Sequence, residues 1–110
     1  MRSPHTLFYV QHLLGIGHVK RASLLVRAWL AAGHQVTVVS GGEAVPQFEF
    51  EGATLVQLPA IKAADAQFSA LVDSSNGPLT ESFKQQRCGA LLSAVAEAKP
   101  DVVVIENYPF

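Results

Sequence analysis

A single cysteine, Cys88, stands in 110 residues, so no internal disulfide staples the chain. A reducing compartment is the simplest reading of that usage. Charge is also scarce. Asp, Glu, Lys and Arg make up 15% of residues, with eight basic against nine acidic and a net charge of -1. No basic excess is present to grip a nucleic-acid backbone, and no block of like charge marks an interaction tail. Long apolar runs are missing as well. No window approaches the roughly 20 residues of a membrane span. Met1-Arg2-Ser3-Pro4-His5 has no apolar stretch of the kind a secretory signal needs. A cytoplasmic location is expected. Gly-Lys-Ser/Thr does not occur, which excludes a Walker phosphate loop.

What is present is apolar and patterned. Hydrophobic residues make up 49% of the chain, which suits one compact core, and 110 residues are too few for two. Thr6 to Val10 mixes β-branched, aromatic and aliphatic residues and predicts a strand. After the turn Gln11 to Gly17, Val19, Ala22, Leu25, Val26, Trp29 and Leu30 recur at helical spacing from His18 to Ala32. Gly33 then supplies a left-handed stop. Val36 to Val39 predicts a second strand buried on both faces, closed by Ser40-Gly41-Gly42. Thr54 to Leu58 is a weaker third strand.

The stretch Pro59 to Pro78 has no clear period and is expected to be irregular, with a turn at Asn76-Gly77-Pro78. A second helix is expected from Glu81 to Ala98. Thr80 would cap it, Phe83, Leu91, Leu92 and Val95 would form its buried side, and Pro100 would stop it. Asp101 to Ile105 is an uninterrupted fourth strand. Continuous apolar strands alternating with helices predict an α/β fold. The expected form is a Rossmann-like open parallel sheet with helices on both faces. The chain stops a few residues beyond the fourth strand, so an incomplete sheet and a longer natural protein are expected.

In such sheets ligands bind beyond the carboxyl ends of the strands. With the first strand central, three segments meet at that edge: Gln11 to His18, Ser40 to Glu43, and Glu106 to Tyr108. Gly15 and Gly17 would let backbone approach a ligand, and a helix N-terminus favours negative charge there. A dinucleotide fingerprint needs a third glycine where Lys20 stands, and an acidic residue closing the second strand, where Ser40 stands. Lys20 and Arg21 place positive charge in the first helical turn, at a cost of roughly 0.3–1 kcal/mol unless an anion offsets it. Trp29 and Cys88 read as packing residues, His34 as part of a connection, and His5 as part of a mobile terminus. Asp65 and Asp73 lack metal-ligand spacing, and no metal is expected.

Gly15-Ile16-Gly17-His18-Val19-Lys20-Arg21, after a strand and opening a helix, resembles the Gly-x-Gly-His-x-x-Arg turn of GT-B glycosyltransferases. The likeness extends to the lipid-linked N-acetylglucosaminyltransferases of cell-wall synthesis and to related predicted bacterial enzymes. Gly33-His34, Gly41-Gly42 and a strand ending in Glu106 fall in the order those N-terminal domains have, although the first turn is the specific part.

The resemblance implies that residues 1–110 form an acceptor-side domain, N-terminal to a nucleotide-sugar-binding domain that these residues do not contain. It implies transfer from a nucleotide-sugar, with a UDP-sugar expected, to a hydroxyl of a sugar or lipid-linked acceptor. Peripheral contact with a membrane is compatible with that acceptor, and no cofactor is required. His18 would act as general base, with Glu106 orienting it and Arg21 holding the acceptor. Many relatives have aspartate where Glu106 stands. His12 is the rival base, and Gly15, Gly17, Gly41 and Gly42 would line the substrate.

The alternatives are a non-catalytic Rossmann-like nucleotide-binding or regulatory module, and an NAD-linked reductase or sugar-nucleotide epimerase. Lys20 and Ser40 argue against the last pair. Calorimetric titration with NAD(H) and NADP(H) is therefore expected to give no heat of binding; a saturable signal would restore the dinucleotide reading.

Overall fold

The computed structural model describes residues 3–11, 17–42, 52–64 and 70–106, with the backbone alone at 17–19. Four parallel strands form one sheet: β1 (His5–Val10), β2 (Gln35–Ser40), β3 (Thr54–Gln57) and β6 (Val102–Glu106). Their order is β3-β2-β1-β6, so β1 is central with β2 and β6 beside it, as expected. Helix α1 (Gly17–Ala31) connects β1 to β2, and α2 (Glu81–Ala98) precedes β6.

Alternation along β1 divides the core into two layers. Phe8 and Val10 join Val36 and Val38 beneath Ala22 and Val26 of α1. Leu7 joins Val39, Leu58 and Ala94 beneath α2. Phe8 is fully buried and meets the half-buried Trp29 edge to face, with ring centroids 5.1 Å apart at 89°. Burying such a side chain contributes roughly 1.5–3 kcal/mol.

Local chemistry sets the helix ends. Gly33 has φ +90°, His34 N donates to Trp29 O at 3.0 Å, and Gly33 N donates to Leu30 O at 3.0 Å. These are the paired bonds of a Schellman stop, which a left-handed glycine permits. Thr80 Oγ1 accepts from Phe83 N at 3.0 Å and so caps the start of α2. At its other end Lys99 is left-handed (φ 46°), and Lys99 N donates to Val95 O at 3.0 Å immediately before Pro100.

Several expectations need correction. The stretch expected to be irregular contains an antiparallel pair, β4 (Ile61–Ala63) and β5 (Leu71–Asp73). Strands of three residues are too short to express a period. Asp73 Oδ1 shapes the following turn by accepting from Ser75 N at 2.9 Å and Gly77 N at 2.8 Å, with Asn76 left-handed. Cys88 and Leu92, one turn apart on α2, are both exposed, Leu92 by 63%. The face of α2 that packs instead carries Ala90, Leu91, Ala94, Val95 and Ala98. His5 does not belong to a loose terminus. It starts β1, and its Nε2 lies 2.8 Å from Thr37 Oγ1.

β6 also departs from its composition. Val102, Val103 and Ile105 are each more than half exposed. The reason is position: β6 is an edge strand, and α2 packs on β1 and β2.

Two substitutions separate core from cap. Phe8→Ala is expected to cost roughly 3–5 kcal/mol, and Thr80→Ala about 1 kcal/mol. Urea unfolding followed by circular dichroism checks both, and a Thr80→Ala cost equal to that of Phe8→Ala would contradict this division.

Candidate functional site at the carboxyl edge of the sheet

Strand register sets this edge. Val10 of β1 lies opposite Ser40 of β2 on one side and Glu106 of β6 on the other. Gly41 N continues the pairing by donating to Val10 O at 2.8 Å. Helix α1 begins here at Gly17, so the first-turn N–H groups of the helix open at the same edge. No acidic residue lies in that first turn. The carboxylate near it comes from β6, where Glu106 Oε1 meets Arg21 Nη1 at 3.0 Å.

Of the residues expected to act here, Arg21 and Glu106 are brought together, and Gly17 opens α1. Arg21 and Glu106 are partners across 85 positions of sequence. The Arg21 side chain is 63% exposed and that of Glu106 19%, so the pair contributes at most about 1 kcal/mol. Its value lies in geometry, since it ties the start of α1 to the end of β6. His12 and Gly15 lie outside the described residues. The expected pairing of His18 with Glu106 involves a side chain that is also outside them, although His18 is the second residue of α1.

A second arrangement occupies the β2 side of the edge. Gly41 and Gly42 are both buried. Arg87 reaches over them from α2. Its Nε donates to Pro59 O at 2.7 Å, and its Nη2 donates to Gly41 O and to Gln11 Oε1, both at 2.7 Å. Tyr9 OH lies 3.4 Å from Nη2 and donates to Gln11 Oε1 at 3.0 Å. Gln11 Nε2 donates to Ile61 O at 3.2 Å, and Ile61 N to Gly41 O at 3.1 Å, which fastens β4 to the same cluster. A Cβ at Gly41 would collide with Gln11 Oε1, Arg87 Nη2 and Tyr9 OH. The protein's own side chains thus account for a glycine at 41. Gly42 O accepts from Gln57 Nε2 at 2.7 Å.

Tyr9 and Arg87 were not among the expected site residues. A signal for Arg87 was available, because it shares the helical phase of Leu91, Ala94 and Ala98 on the apolar stripe of α2. An arginine there has to reach past the core to a polar edge.

Elsewhere the described residues offer less. They contain no group of three or more His, Cys, Asp or Glu able to hold a metal ion. No helix among them is long and apolar enough to cross a membrane. A cavity of about 230 Å³, lined in part by His5, Thr37, Thr54 and Glu97, opens toward the amino ends of the strands. It lies away from the edge where parallel sheets usually bind ligands. Compared with protein-family models, curated proteins and solved structures, the chain matches none.

Gly41→Ala is expected to destabilise the protein by roughly 1–3 kcal/mol, because three hydrogen-bonded groups must separate to admit one methyl. Combining it with Arg87→Ala removes one of the colliding groups, so the two costs should fall short of additive in denaturation experiments. Strict additivity would mean that Arg87 does not press on Gly41.

Proposed function

We propose that the chain is the acceptor side of a GT-B glycosyltransferase, in which a hydroxyl is glycosylated by a nucleotide-sugar donor bound on a following domain. The observation that carries this reading is the arrangement at the β1–β6 crevice. Gly17 opens α1 there, His18 follows in its first turn, and Glu106 stands at the end of β6, bonded to Arg21. The resemblance of Gly15-Ile-Gly17-His18-Val-Lys-Arg21 to the family's turn supplies the chemical assignment.

In this mechanism His18 removes the proton from the acceptor hydroxyl as that oxygen attacks the anomeric carbon. The bond from that carbon to the diphosphate breaks, and the nucleotide leaves on the donor domain. Imidazole suits the step because it titrates near neutrality. In this proposal Glu106, at the end of β6, stabilises the imidazolium that forms. Arg21 then has two roles, holding Glu106 in place and presenting positive charge to a polar acceptor. This reading gives acceptor contact to the Gly15–Gly17 turn rather than to Gly41, which the protein's own side chains crowd.

The Arg21–Glu106 ion pair also favours a second reading. A carboxylate already bonded to arginine suits a non-catalytic Rossmann-like binding module, in which the pair simply shapes the crevice.

Transfer assays on the natural full-length protein separate the two. His18→Ala is expected to lower turnover by 10² to 10⁴, the usual share of a general base, with donor affinity unchanged within about two-fold. Wild-type turnover in that variant would remove His18 from the mechanism. A full-length protein that binds nucleotide yet transfers no sugar would establish the binding module instead.

A further inference from the structure

Arg87 is half-buried, and its guanidinium is held by neutral oxygens: Pro59 O, Gly41 O, Gln11 Oε1 and, at longer range, Tyr9 OH. No carboxylate among the described residues reaches it, and Nη1 donates to nothing among them. Arg21 and Lys84 differ, since each has a glutamate within 4.0 Å although both are well exposed. A guanidinium keeps its charge throughout the pH range of folded proteins. Neutral oxygens satisfy its Nε and Nη2 donors and leave that charge uncompensated, and buried charges in proteins are ordinarily paired.

Position adds to this. Four segments build the seat: the ends of β1 and β2, the chain after β3, and the second turn of α2. All four meet at the carboxyl edge, where parallel sheets take their ligands. The fork is held on its Nε and Nη2 sides before any ligand arrives, so little side-chain entropy remains to be lost on binding. Its remaining Nη1 donors suit one oxyanion, with charge-assisted bonds stronger than those to carbonyls.

We infer that Arg87 anchors an anion site on the α2 side of this edge, taking the phosphate or carboxylate group of a small molecule. The site is separate from the Arg21–Glu106 crevice and does not rest on the transferase reading.

The test uses the 110-residue chain. Pyrophosphate, inorganic phosphate and acetate are titrated separately at constant ionic strength, and the Arg87 Nε–H resonance and the Gly41 amide are followed by NMR. Saturable shifts at both are expected with at least one anion. Response to phosphate and pyrophosphate alone identifies a phosphoryl ligand, whereas an equal response to acetate identifies a carboxylate. Arg87→Gln should weaken binding at least ten-fold, and Arg87→Lys, which keeps the charge without the fork, should fall between. The wild-type spectrum decides the matter even if a variant unfolds. Shifts confined to other residues, no shift up to millimolar anion, or affinity within two-fold in Arg87→Gln would each overturn the proposal.

Discussion

β1 is hydrogen-bonded along both edges and packed on both faces, and the rest of the fold follows from those four demands. Its edges require β2 and β6, which run parallel to it. Parallel neighbours cannot be joined by a tight turn, so each connection has to cross over the sheet. The crossovers are α1 and α2, and they cover the two faces of β1: Phe8 and Val10 on one, Leu7 on the other. Because the four strands of this sheet run the same way, the carboxyl ends of β1, β2 and β6 finish level. The hydrogen-bonded side chains of Arg21, Glu106, Gln11 and Arg87 gather where they finish.

Two arginines occupy that edge under opposite conditions. Arg21 is exposed and bonded to a carboxylate, so it ties two elements together at little energetic consequence. Arg87 is half-buried and bonded to neutral oxygens through Nε and Nη2, so those hydrogen bonds are met while its charge is not. Gly41 records the difference. Its missing side chain makes room for the Arg87 head and for the Tyr9 and Gln11 groups bonded to it. In the sequence this glycine looks like one that admits a ligand, whereas in the fold it admits an arginine from 46 positions away.

β6 shows the limit of composition as a guide to burial. Val102-Val-Val-Ile105 is as apolar as β2, yet β2 is inside and β6 is on the rim. The hydrophobic pattern of a parallel strand anticipates cover on both faces. Only the strand order tells which strand receives it. Leu92 and Cys88 on α2 make the same point, since they are apolar by type but displaced from the stripe that packs.

The sequence by itself determined those elements whose signals are local. The span of α2, its Thr80 cap, the Gly33 stop and the span of β1 were all legible, because capping, left-handed glycine and runs of β-branched residues act within a few positions. That the ends of β1, β2 and β6 share one edge followed from parallel topology. Three things were decided by tertiary structure alone: the β4–β5 pair, whose strands are too short to show a period; the choice of Arg21 as a partner of Glu106; and the Arg87 cradle. The last two depend on groups far apart in the chain being brought within 3.0 Å, and no local pattern encodes a distance of that kind.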